Sequence, residues 1–255
     1  MEIARMKKST KLVMAVAAGS VAGAAVAVLG KYAKEELDLR KEIAPEVDTT
    51  RPRIACVGDS ITFGDGVVHG RDTQSYPAVL ETLLGGEEQV LNYGLNGRTL
   101  LAEGDMPYTK EEFYPLSKEC GADTYIIMLG TNDTKPQNWN RHAYEQELVE
   151  FIRGYQGLPQ APKVYVMVPP RAFAVDGNTE VLYDINERLM DKYVRPMVRQ
   201  AAEETGAGLI DLYAITEHRP ELFADGVHPN FDGNQAIAAE IYMKLHHDRK
   251  NQEQK

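Results

Sequence analysis

The sequence predicts an α/β fold, a five-stranded parallel sheet enclosed in a three-layer α/β/α sandwich. Three observations carry this. From Arg53 onward, short apolar runs alternate with longer stretches of helical periodicity. The runs are apolar on both faces, as strands covered on both sides are. The chain also leaves the first three runs at glycines, Gly58, Gly94 and Gly130, where a strand must turn sharply.

Taken in order, the expected strands are Arg53–Val57, Gln89–Tyr93, Thr124–Leu129, Lys163–Val168 and Gly208–Ile210. Pro169 and Pro170 end the fourth, because proline cannot continue a ladder. Helical patterns lie between them at Ser75–Leu84, His142–Gln156 and Asp184–Thr205, and a last one spans Asp232–His247. Strand–helix alternation implies right-handed βαβ crossovers. Ligands of such sheets bind beyond the carboxyl ends of the strands, near the switch in strand order. In a flavodoxin-like order, with the first strand between the second and third, the loops opening at Gly58, Gly94 and Gly130 are neighbours.

The 255 residues suffice for one sizeable core. Net charge is −10, distributed unevenly. Residues 1–41 hold eight basic and four acidic side chains, which leaves about −14 for the remainder. A surface that acidic repels phosphate backbones and argues against nucleic acid as a partner. Arg5, Lys7, Lys8 and Lys11 precede an uncharged stretch from Leu12 to Gly30. Residues 1–30 therefore read as a signal peptide or a membrane anchor, exporting the domain either way. Membrane contact is expected only through that segment. The charged residues 31–52 read as a linker, and 53–250 as the folded domain. The two cysteines, Cys56 and Cys120, lack metal-ligand spacing, and Cys56 reads as a small buried hydrophobe. A bridge between them is open to an exported protein.

Chemistry concentrates in three places. Gly58-Asp59-Ser60 puts a serine hydroxyl directly after a buried strand; on its own this is equally a helix-capping serine. Asp225-Gly226-Val227-His228 sets a carboxylate three residues before an imidazole on one turn. One ring nitrogen can then donate to the carboxylate while the other accepts from a serine, which activates a nucleophile. Read alone, the same turn is an ordinary surface turn, or a metal pair lacking a third ligand. Asn132, in the third strand's exit loop, and the N–H groups of Gly94 and Ser60 are candidate oxyanion donors from three adjacent loops. Asp59, Trp139 and Arg171 are candidate substrate contacts, Trp139 as a stacking platform for a sugar ring and Arg171 for an acidic sugar.

With these segments in this order, residues 53–247 resemble the SGNH (GDSL-type) hydrolases. Ser60, Gly94, Asn132 and His228 match the four signature blocks, and Asp225 stands three before the histidine. The resemblance implies the SGNH hydrolase fold, a flavodoxin-like sandwich, and neither metal nor cofactor. It implies that Ser60 attacks an ester carbonyl, His228 acts as general base and then acid, and Asp225 orients His228. Gln74-Ser75-Tyr76-Pro77, the run from Gly130 to Trp139 and the run from Lys163 to Pro170 are similar to the sialate O-acetylesterase-like carbohydrate esterases. Arg171 departs from that pattern. The expected substrate is a small acyl ester, acetyl above all, on a small molecule or oligosaccharide. A lysophospholipase or thioesterase with the same triad, an acetyltransferase and a catalytically silent carbohydrate-binding module are the competing readings.

Overall fold

The computed structural model describes residues 41–175 and 177–253, together with Lys34 and Asp38. The segment read as a signal or anchor, residues 1–30, lies outside the described residues. Contacts separate Met1–Glu42 from a second unit, Ile43–Lys255. That unit includes the ten residues before Arg53, the expected start of the domain. Residues 43–52 look like a tether by composition, but their polar groups are spent on the domain. The Asp48 N–H donates to Gln89 Oε1 (2.8 Å), Gln89 Nε2 donates to the Glu46 carbonyl (2.8 Å) and Arg51 donates to the Gly86 carbonyl (2.8 Å).

The second unit is built on β1 (Arg53–Gly58), β2 (Gln89–Gly94), β3 (Thr124–Met128), β4 (Lys163–Val168) and β5 (Gly208–Asp211). All neighbours are parallel, in the order β2-β1-β3-β4-β5. This is the flavodoxin-like order, and every strand lies within one residue of its expected end. Alternation of side chains divides the core in two. Ala55, Val57, Tyr125, Ile127, Val164 and Val166 face one side, whereas Ile54, Cys56, Ile126, Met128, Tyr165 and Met167 face the other. Cys56 and Cys120 are both free and buried, in clusters on opposite sides of the sheet, so no bridge joins them.

Helices α1 (Ser60–Phe63), α2 (Tyr76–Leu83), α3 (Phe113–Glu119), α4 (Arg141–Gln156), α5 (Arg195–Thr205), α6 (Leu212–Thr216) and α7 (Phe231–Glu253) cover the sheet. Side chains of α2 and α7 fill one face and those of α4 and α5 the other. The helix expected over Asp184–Thr205 is interrupted. Tyr183 and Asp184 have positive φ (63° and 59°), Asn186 caps a helical turn at Glu187–Leu189, and a widened turn spans Met190–Val194. Pro196 explains the widening. It has no N–H for the Lys192 carbonyl, and its ring pushes that carbonyl away. The short helices α3 and α6 carry too few turns to show periodicity in the sequence.

Arg195 is the largest fully buried side chain among the described residues and fixes the exit of β4. Its guanidinium donates to the carbonyls of Pro169 (3.2 Å) and Pro170 (2.9 Å) and pairs with Glu187 (2.8 Å), lying 4.3 Å over the Tyr213 ring. Arg195→Met would strand Glu187 and two carbonyls. Because Glu187 is partly solvated, the loss expected is about 3 kcal/mol of unfolding free energy, read by urea denaturation. A variant as stable as wild type would contradict this account of the loop.

Candidate active site

Ser60 is the first residue of α1, directly after β1. The Asp59 carboxylate caps that helix by accepting from the Ile61 N–H (3.0 Å). As a first-turn residue, Ser60 has a backbone N–H with no partner inside its helix. Its hydroxyl is nearly buried, with the residue 9% exposed, and lies 2.9 Å from His228 Nε2. Asp225 Oδ2 lies 2.8 Å from His228 Nδ1. Because a carboxylate only accepts, Nδ1 carries the proton and Nε2 is left to accept from the serine. The structure thus brings the expected Ser60, His228 and Asp225 together in one chain of hydrogen bonds.

The Asp225–His228 turn closes on itself. Asp225 Oδ1 accepts from the N–H groups of Val227 (2.9 Å) and His228 (2.8 Å), and Ala224 N–H donates to the His228 carbonyl (2.8 Å). Gly226 has φ 87° and lies against the Phe173 carbonyl, 2.1 Å from where a Cβ would stand. It is therefore required both by conformation and by space. Asn234, fully buried in α7, ties the turn to the serine side of the site. It accepts from the Tyr76 N–H (2.8 Å) and donates to the Pro229 carbonyl (2.9 Å).

Burial alone would raise the Asp225 carboxyl, but the side chain, charge and N–H of His228, with the Val227 N–H, outweigh it. They hold the group well below the usual carboxylate range. For His228 burial acts the other way, lowering the imidazole. The hydrogen bond and charge of Asp225, with the charges of Asp65 and Asp59, prevail and raise it above 6.5.

Asn132 and Asp133 lie in the β3 exit loop and knit it to the β2 exit loop. Asn132 Nδ2 donates to the Arg98 carbonyl (3.1 Å), which orients the amide and leaves its second hydrogen. The fully buried Asp133 accepts from the N–H groups of Leu100 (3.0 Å) and Leu101 (2.8 Å). Burial pushes Asp133 up to about 7 against those two hydrogen bonds, and the charge of Asp59 adds to the rise. Asp59 is pushed up to about 6 by burial, against the Ile61 N–H and the charge of His228.

Four expectations need correction or refinement. Gly94 is not available as a donor, since its N–H gives its hydrogen bond to Asn92 Oδ1 (2.9 Å). Its lack of a side chain serves packing instead: a Cβ would stand 2.1 Å from the Phe63 nitrogen. Asp59 is wholly buried and acts as a cap, so it cannot touch substrate. The Trp139 ring is engaged by Tyr144 and Tyr193 at 5.7 and 5.8 Å, packing on the core rather than standing open to stack on a sugar. Arg171 is half-buried, its guanidinium 5.6 Å over the Phe173 ring and its N–H on Thr216 Oγ1. One contact had no signal in the sequence. Tyr183, outside every motif, donates to Asp225 Oδ2 (2.7 Å).

Residues 56–236 match the model of the GDSL-like lipase/acylhydrolase family. An acetylxylan esterase from Xylanibacter ruminicola is 31% identical over 214 residues, covering 76% of this chain and 43% of that protein. The chain thus spans less than half the length of that relative. Among solved structures, one assigned as an arylesterase from Agrobacterium tumefaciens is 26% identical with a TM-score of 0.64, covering 76% of this chain and 98% of that one. A carbohydrate acetylesterase from Sinorhizobium meliloti is 22% identical with a TM-score of 0.62 over the same shares, a likeness of fold.

The imidazole of His228 should titrate above 6.5 by NMR, and Asp225→Asn should bring it down. The imidazolium–carboxylate pair then contributes stability that is complete below the unfolded value of 6.5 and is lost as pH rises through the raised folded value. Titration at or below 6.5 in the wild type would contradict the assigned electrostatics.

Proposed function

The chain belongs to the GDSL-like lipase/acylhydrolase family, a carboxylic ester hydrolase by class, and we propose that it removes small acyl groups, acetyl above all, from carbohydrate esters. The observation that carries the reading is the Ser60–His228–Asp225 chain of hydrogen bonds at 2.9 and 2.8 Å. In this reading His228 Nε2 takes the Ser60 proton as the oxygen attacks the ester carbonyl, then returns it to the departing alcohol. Water repeats the cycle on the acyl-enzyme. The Asp225 charge stabilises the imidazolium formed in each half.

The oxyanion is met by the Ser60 N–H and the oriented amide of Asn132. For the third donor, Gly97 replaces Gly94. It occupies a left-handed turn (φ 77°) directly before Arg98, whose carbonyl holds the Asn132 amide. Such a donor is worth about 2.7–4 kcal/mol of transition-state stabilisation. The acetyl preference is supported by walls made of pinned loops and by the residual exposure of 5% at both Asn132 and His228. The carbohydrate is supported by the acetylxylan esterase relative. The basic and apolar residues 1–30 support an exported protein that meets its substrate outside the cytoplasm.

Ser60→Ala should reduce hydrolysis of p-nitrophenyl acetate by at least about a thousandfold and abolish fluorophosphonate labelling. Wild type should cleave the acetate faster than the butyrate and octanoate, and should release acetate from acetylated xylan oligosaccharides. A preference for the longer chains would overturn the acetyl assignment, and labelling that survives Ser60→Ala would overturn the nucleophile.

A further inference from the structure

Between β4 and α5 the chain makes an excursion whose last part is conformationally strained. Tyr183 and Asp184 are consecutive non-glycine residues in the left-handed region, with Ala161 the only other such residue among the described ones. That backbone is disfavoured for any residue with a Cβ and persists where its surroundings hold it in place. Burial of Tyr183 is not what holds it, since the residue is 52% exposed. Two other features do. Ile185 packs with Ala172 and Val227 in a small apolar cluster, anchoring the excursion to the Asp225 turn. The Tyr183 hydroxyl reaches Asp225 Oδ2 at 2.7 Å while its ring meets the His228 ring edge-on, centroids 5.1 Å apart at 67°.

The four donors to Asp225 divide unequally. Oδ1 takes two N–H groups from its own turn, which any sequence folding that turn would supply. Oδ2 takes only side chains, His228 Nδ1 and the Tyr183 hydroxyl. We infer that Tyr183 is a positioning residue for the Asp225–His228 pair, holding the carboxylate's outer oxygen against the imidazole and moderating its charge. The inference rests on the hydrolytic reading above for its kinetic consequence, but not for its geometry.

Two effects follow from one hydrogen bond. The second donor on Oδ2 resists rotation of the carboxylate away from Nδ1, so His228 keeps the orientation that serves Ser60. The O–H also draws negative charge from Oδ2, which lowers that oxygen's hold on the imidazolium. Tyr183 therefore opposes the groups that raise His228. Those facing the ring are Asp225 from its own turn, Asp65 at 4.0 Å from Nδ1 in the turn after α1, and Asp59 at the end of β1; Ser60 faces the opposite nitrogen.

The test uses the full chain and p-nitrophenyl acetate. Tyr183→Phe keeps the ring and removes the hydroxyl. It should lower kcat about threefold to tenfold with KM nearly unchanged, the size of the typical net contribution of one hydrogen bond at a half-exposed site. The acid limb of kcat/KM and the NMR titration of His228 should both move to higher pH. Tyr183→Leu should lower kcat further, while the thermal midpoint of both variants stays near wild type because the ring is half exposed. Wild-type kcat and an unmoved His228 titration in Tyr183→Phe would overturn the inference. A raised KM with an unmoved titration would do so too, by assigning the hydroxyl to substrate contact. Should wild type cleave no ester at all, the parent reading fails, and the His228 titration still decides the role of Tyr183.

Discussion

The carboxylate of Asp225 is the group on which the site depends. Partly buried, it would be costly as an anion without compensation, and four donors provide that compensation. Two come from the turn it begins, which makes the turn and the charge mutually dependent. The third orients the imidazole, and the fourth reaches in from a separate excursion of the chain. With the carboxylate fixed, the tautomer of His228 is fixed, and with that the nitrogen turned to Ser60 becomes an acceptor.

The opposite half of the site is held by a different device. Buried carboxyl and amide groups join loops that have no secondary structure of their own. Asp133 clamps the β2 exit loop to the β3 exit loop, Asn132 is oriented on the Arg98 carbonyl, and Asn234 joins α2 to the turn bearing His228. Side chains of this kind satisfy backbone groups that would otherwise be stranded on burial. The cost appears as carboxyls pushed toward neutrality, about 7 for Asp133 and about 6 for Asp59.

Several readings of the sequence fared differently for identifiable reasons. The strands were legible because continuous apolar runs ending at glycine or proline are a short-range pattern. The break before Glu187 was not, because the left-handed pair at Tyr183 and Asp184 is held by contacts with a segment some forty residues away. Gly94 was placed correctly at a strand exit, yet its N–H is claimed by Asn92, two residues earlier on the same strand. Trp139 and Asp59 read as substrate contacts, whereas the fold packs the half-buried Trp139 against Tyr144 and Tyr193 and buries Asp59 entirely. Residues 43–52 read as part of a tether, since their hydrogen bonds with the Gln89 side chain at the start of β2 leave no trace in composition.

By itself, the sequence determined the layered architecture and the Asp225–His228 pair, because periodicity and a three-residue turn are properties of neighbouring residues. The tertiary structure alone decided that Ser60 meets His228 across 168 positions, at 2.9 Å. It also decided that the Gly94 N–H is taken by Asn92, and that Tyr183 supplies the fourth donor to the carboxylate. Such contacts are set by how the whole sheet and its helices pack. No local pattern encodes a distance of that kind, so the candidate serine was readable in the chain and its contact with the imidazole only in the fold.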